Sequence, residues 1–111
     1  MKNLVLIGIG GMLGALARFG VYRLVPGGAY PTSTSIINIL GCFLIGWASG
    51  ALSEGIYLFF AVGVLGAFTT FSTFGLENLK LIEEGRVGVA ALNSCVQVVV
   101  GIFAVYCGRK L

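Results

Sequence analysis

The sequence contains no histidine and no aspartate, and its only acidic residues are four glutamates, Glu54, Glu77, Glu83 and Glu84. The nucleophile–base pairs and metal-ligand sets of hydrolytic and redox enzymes are therefore missing, and the chain is read as a non-enzyme. Charge is scarce altogether, at 10% of residues against about 25% in soluble domains. Seven basic and four acidic side chains could not cover a soluble globule of 111 residues. The net charge of +3 gathers in no basic cluster, which excludes a nucleic-acid-binding face. The three cysteines, Cys42, Cys95 and Cys107, have neither disulfide-like nor metal-binding spacing. They are read as small buried hydrophobes.

What the chain has in quantity is hydrophobic length. Crossing a bilayer takes roughly 20 consecutive apolar residues. Four stretches qualify: Leu4–Val25, Ser33–Leu52, Ile56–Phe74 and Val87–Gly108. They consume most of residues 1–111, so the expected architecture is a single four-helix transmembrane domain in an all-α, multi-pass protein of the cell (plasma) membrane. One lysine precedes the first run, which is too long for the core of a cleavable signal and reads as the first span.

Both prolines fall in Pro26–Pro31, a turn between spans one and two. Thr32, Ser33 and Thr34 offer N-cap hydroxyls for span two, and Gly55 is placed to end it. The short link to span three predicts that spans two and three form an antiparallel pair. Leu76–Gly85 is the one long polar stretch. Leu76, Leu79 and Ile82 recur in it at helical spacing, which predicts a short interfacial helix. Gly10/Gly14 and Gly46/Gly50 have the four-residue spacing that lets helix backbones approach closely in lipid.

Lysines and arginines in short loops set membrane orientation. Lys2, Arg109 and Lys110 lie on one side, and Arg23, Lys80 and Arg86 on the other. This balance predicts insertion in both orientations, and so an antiparallel pair about an in-plane two-fold axis. A single, weakly biased orientation is equally compatible with the count.

The polar residues inside the spans are neutral or basic. Among them are Arg18, Asn38, Thr69, Thr70, Ser72, Thr73, Asn93 and Gln97, the last two one helical turn apart. Polar groups in hydrocarbon are costly and face an interior or a wet cavity. As a set rich in donors they suit an anion pathway, and individually they suit interhelical hydrogen bonding. A proton-coupled multidrug or cation antiporter needs a carboxylate at membrane depth, and all four glutamates lie outside the spans.

Gly66–Phe74 is poor helix material, with a glycine, four hydroxyl residues and three phenylalanines. It predicts a third span broken near its end. Carbonyls freed there need a partner, and a bound cation is one. Phe68, Phe71 and Phe74 recur every three residues on one side. Their positive ring edges could meet a small anion, although phenylalanines at such positions also pack or face lipid.

Three motifs together resemble one family, the Fluc/CrcB fluoride channels: Gly11-Met12-Leu13-Gly14-Ala15-Leu16-Ala17-Arg18-Phe19, Asn38-Ile39-Leu40-Gly41 continuing to Gly46, and Gly63 through Phe74 ending in Thr-Thr-Phe-Ser-Thr-Phe. The similarity spans nearly the whole chain. It implies a passive, fluoride-selective channel that relieves fluoride toxicity. It also implies a dual-topology antiparallel dimer with two pores and a structural sodium ion at the dimer interface. On these positions Phe71 and Phe74 would line the pore, Asn38 would be an amide donor, and Ser72 and Thr73 a polar track. Gly66 and Thr69 would give sodium-binding carbonyls, Arg18 is the first-helix arginine, and Glu77 is a vestibule glutamate. Span four departs from the pattern, with Asn93 and Gln97 where family members commonly have Tyr and Ser. Both amides can donate, so they are counted in the fluoride pathway. The departure also suits a homodimer's alternatives: a heterodimer with a paralogous chain, or a non-conducting partner subunit.

Overall fold

Each apolar run forms a helix in the computed structural model, which describes residues 1–111. Lys2–Leu24 forms α1, Thr32–Ala51 α2, residues 54–68 α3, Phe71–Glu83 α4 and Val87–Lys110 α5. Four segments are long and apolar enough to cross a membrane, with α3 and α4 together making the third. Of 86 backbone hydrogen bonds, 74 lie within helices, so peptide groups at membrane depth satisfy themselves, as lipid requires. Only 19 of 111 residues are buried within the chain, which leaves most of the apolar side chains for lipid or another protein surface. The protein is a multi-pass, all-helical membrane protein.

Glycine decides which helices touch. A side chain at Gly10 would run into the Phe59 carbonyl, and one at Gly14 into that of Val64. Gly63 answers from the other side, against the Ile7 carbonyl and Gly10. Backbone therefore meets backbone between α1 and α3, the contact that small residues four apart permit in lipid. The same device joins α2 to α5. Gly46 faces the Val105 carbonyl and Gly108 the Phe43 carbonyl. Gly50 has open space around it and takes no part.

The dominant packing is α1 on α3 and α2 on α5, and the antiparallel neighbours α2 and α3 predicted by the short 52–53 link touch over a smaller area. A short loop fixes antiparallel direction, and the glycine faces choose the closest partners. Gly55 does not end α2. That helix stops at Ala51, with Leu52 extended, and Gly55 lies in the first turn of α3. Nor do the hydroxyls at 32–34 cap α2, whose N-cap is Pro31 without a side-chain bond. Thr34 is fully buried and spends its hydroxyl inside the bundle. The polar stretch from Leu76 is no separate helix but the later part of α4, closed by Gly85 at φ +78°, a left-handed turn that suits glycine. None of the cysteines is buried, and Cys95 is exposed, because four helices leave much of each circumference uncovered.

Candidate functional site

The site is built around a two-residue interruption in the third span. Helix α3 ends at Phe68. Thr69 (φ −78°, ψ 157°) and Thr70 (φ −151°, ψ 118°) are extended, and α4 starts at Phe71. Thr70 is the N-cap of α4, its Oγ1 accepting from the Thr73 N–H at 3.3 Å, a role for which threonine is well suited.

The carbonyls of Gly66, Ala67, Phe68 and Thr69 all lose their helical donors here. In a continuous helix the Gly66 carbonyl would accept from the Thr70 N–H, and the Thr69 carbonyl from the Thr73 N–H. The first N–H goes to Asn38 Oδ1 at 2.8 Å, and the second to Thr70 Oγ1. The Thr69 carbonyl instead receives a long contact of 3.4 Å from Arg18 Nη1. Gly41 on α2 makes room beside this interruption, since a side chain there would strike the Thr69 methyl.

Asn38 grips Thr70 by both of its backbone polar groups. Its Oδ1 accepts the Thr70 N–H, and its Nδ2 donates to the Thr70 carbonyl at 2.9 Å. The same Nδ2 donates to Gln97 Oε1 at 2.7 Å. An amide nitrogen has two protons, so both donors of Asn38 are committed.

A cavity of 340 Å³ opens beside this point. Its wall includes Asn38, Gly66, Thr69, Phe71, Phe74 and Gln97. The Phe71 and Phe74 rings lie 5.5 Å apart and tilted by 43°, and Phe71 is 82% exposed. No ionisable side chain other than the Cys42 thiol lines the cavity. It is lined by backbone, amides and aromatic rings, which can hold and pass a small ion but carry out no acid–base step.

The other expected site residues lie apart from this wall. Ser72 and Thr73 surround the N-cap, with oxygens 3.4 and 3.1 Å from Thr70 Oγ1, because they point away from the side of α4 that carries Phe71 and Phe74. Asn93 is fully buried behind Gln97. It accepts from Gln97 Nε2 at 3.0 Å and from Ser35 Oγ at 3.2 Å. Glu77 belongs to a second cluster, where its carboxylate accepts from Thr34 Oγ1. Thr34 has spent its only proton, so Tyr22 is the donor in their 2.8 Å bond. Glu77 also lines two small polar cavities of 160 and 200 Å³ beside the Pro26–Pro31 turn.

Sequence reasoning did not single out Asn78, Ser94, Ser35 and Tyr22, and it read Thr34 as a helix cap rather than a partner of Tyr22 and Glu77. For Asn78 a signal existed. Phe74, Asn78 and Leu81 follow the i, i+4, i+7 spacing of a packed face, and Leu81 is buried.

The chain is similar to known proteins over nearly its whole length. The family described as "CrcB-like protein, Camphor Resistance (CrcB)" matches residues 5–109. A relative from Thermus thermophilus, named "Fluoride-specific ion channel FluC", is 43% identical over 119 residues, covering 100% of this chain and 95% of the relative. A relative of the same name from Shewanella halifaxensis is 44% identical, covering 100% and 96%. One from Novosphingobium aromaticivorans is 38% identical over 121 residues, covering 100% and 96%. With agreement over essentially its full length, the chain belongs to the CrcB-like (Camphor Resistance, CrcB) family.

Proposed function

We propose that this protein is a passive, fluoride-selective channel that lets fluoride leave the cell. The observation that carries this reading is the cavity at the Thr69–Thr70 interruption, where amide groups and phenylalanine rings converge and no carboxylate does. Fluoride is small and strongly hydrated, so a pore must replace its water with close donors. Chloride is larger and cannot approach several of them together. Such a pore binds weakly enough to release what it admits. All four glutamates lie off the cavity wall, which leaves a proton-coupled antiporter without a carrier for its proton. Fluoride efflux from vesicles holding the purified chain tests the reading.

The interruption is read as a functional break in the third span, and a second copy as the other half of the pore. Phe71, exposed at the break, is then covered across a two-fold axis in the membrane plane. The even distribution of Lys and Arg supports opposite insertion of the two copies. A tag on the C-terminus of the protein in cells is expected to react with impermeant reagents from both membrane faces. Labelling from one face alone would contradict dual topology.

A structural sodium ion fits the Gly66 and Thr69 carbonyls. Both have lost their helical donors, and a carbonyl oxygen is a hard, neutral ligand suited to a hard cation. Two copies would supply two pairs of oxygens. When bound, the ion supplies positive charge that holds the two breaks together. A high-resolution map of the assembled protein is expected to show a closed cation site between these carbonyls. A water there, or a donor from either chain filling both carbonyls, would contradict it.

A heterodimer with a paralogous chain is the second reading, favoured by Asn93 and Gln97 in α5. Flux from this chain alone excludes it as a requirement.

A further inference from the structure

Behind the cavity runs a line of four carboxamides, Asn38, Gln97, Asn93 and Asn78, ending on Ser94. Asn38 Nδ2 donates to Gln97 Oε1, Gln97 Nε2 to Asn93 Oδ1, and Asn93 Nδ2 to Asn78 Oδ1, at 2.7, 3.0 and 2.8 Å. Asn78 Nδ2 then donates to Ser94 Oγ at 2.9 Å, and Ser94 gives its own proton to the Ala90 carbonyl at 2.9 Å.

The direction of this line is fixed by one backbone group. A peptide N–H can only donate, so the Thr70 N–H identifies the Asn38 atom facing it as oxygen. The other Asn38 atom is then nitrogen, and the Gln97 atom that meets it must be an acceptor. The same logic passes through Gln97, Asn93 and Asn78 without a free choice. Ser94 agrees from the far end, because its proton is taken by Ala90 and its oxygen is left to accept.

The consequence falls on the cavity. Asn38 has no donor to spare, and Asn93, fully buried, does not reach the wall. Gln97 lines the cavity and uses one of its two Nε2 protons on Asn93. Its second N–H is the uncommitted amide donor there.

We propose that Gln97 is the amide that binds fluoride in this pore, and that Asn93 and Asn78 are positioning residues that hold its nitrogen toward the ion. This rests on the channel reading above. With Asn78 unable to accept, the fully buried Asn93 Nδ2 loses its partner, and Asn93 shifts to find another, which weakens its hold on Gln97 Nε2 while Asn38 still holds the Gln97 oxygen.

The test uses the purified full chain in liposomes with fluoride-electrode recording, plus the 15N–1H resonances of the Gln97 side chain in micelles. Gln97→Met keeps length and shape and removes the donor. It is expected to lower fluoride efflux about tenfold or more, the effect of losing one hydrogen bond to an ion. Asn78→Leu, about two helical turns from Phe71 and off the cavity wall, is expected to lower efflux several-fold and abolish the fluoride-induced shift of the Gln97 amide. Asn78→Asp retains an acceptor for Asn93 and is expected to restore both. A merely structural Asn78 would change stability without moving that resonance. Wild-type flux in Gln97→Met, or a Gln97 amide that ignores fluoride while the wild-type chain conducts, would overturn the relay and leave the channel intact. A wild-type chain that passes no fluoride would overturn the channel, and the relay's fluoride role with it.

Discussion

Phe71→Ile and Phe74→Ile are each expected to lower fluoride efflux about tenfold to a hundredfold, the span that losing a contact of roughly 1.5–3 kcal/mol with an ion implies. Isoleucine keeps much of the apolar volume but has no ring edge, and the ring edge is the positively polarised part of phenylalanine. The two rings stand 5.5 Å apart on the cavity wall, which they share with Gln97, the wall amide with an uncommitted proton. Folding should survive, because Phe71 is 82% exposed in the chain and contributes little to its core. Efflux from vesicles, with chloride efflux as control and gel filtration for assembly, checks the result. Wild-type rates in both variants would remove the aromatic side of the pathway.

Asn38→Ala is expected to damage both flux and stability. The Asn38 amide satisfies both the N–H and the carbonyl of Thr70, and a group left unpaired at membrane depth costs about 1–3 kcal/mol. Two such groups, with part of the cost recovered by local relaxation, imply a loss of about 2–5 kcal/mol. Gln97 also loses the donor that holds its oxygen. A lowered thermal midpoint in detergent together with a severe loss of fluoride efflux is the expected outcome. An unchanged midpoint would mean that the Asn38–Thr70 pairing does not hold the interruption in place. The expected role of Asn38 as a direct donor changes accordingly, since both its protons are committed within the chain and it acts through Thr70 and Gln97.

The spans were legible from hydrophobic length, because lipid imposes it without reference to tertiary contacts. Gly66–Phe74 drew attention for the same local reason, as a glycine and four hydroxyls make a weak helix. The pairing of α1 with α3 and α2 with α5 was only half legible. The spacing of Gly10 and Gly14 announced a close contact, but the partner, Gly63 and Val64, is chosen across the bundle. Gly46 and Gly50 looked equivalent, yet only Gly46 meets a backbone.

Hydrogen-bond partners were the least legible part. Asn38 and Gln97 lie 59 positions apart, and Asn38 and Thr70 lie 32 apart. Nothing local distinguishes an amide that faces an ion from one that spends its protons on its neighbours. Thr34 illustrates the point from the other direction. Its position just after the Pro26–Pro31 turn suggested a cap, whereas Tyr22 and Glu77 claim its hydroxyl inside the bundle. Asn78 was hidden by Glu77, Lys80, Glu83 and Glu84 around it, which made the segment look interfacial. Its inward face becomes visible only when Phe74, Asn78 and Leu81 are aligned.

The most direct test is fluoride efflux from liposomes that contain this purified chain and no other protein. Fluoride and chloride are loaded in parallel, and efflux begins when potassium permeability is provided to balance charge. The account predicts rapid fluoride release that needs no proton gradient, with chloride retained. Retention of fluoride, or release that follows an imposed proton gradient with potassium permeability held constant, would contradict it.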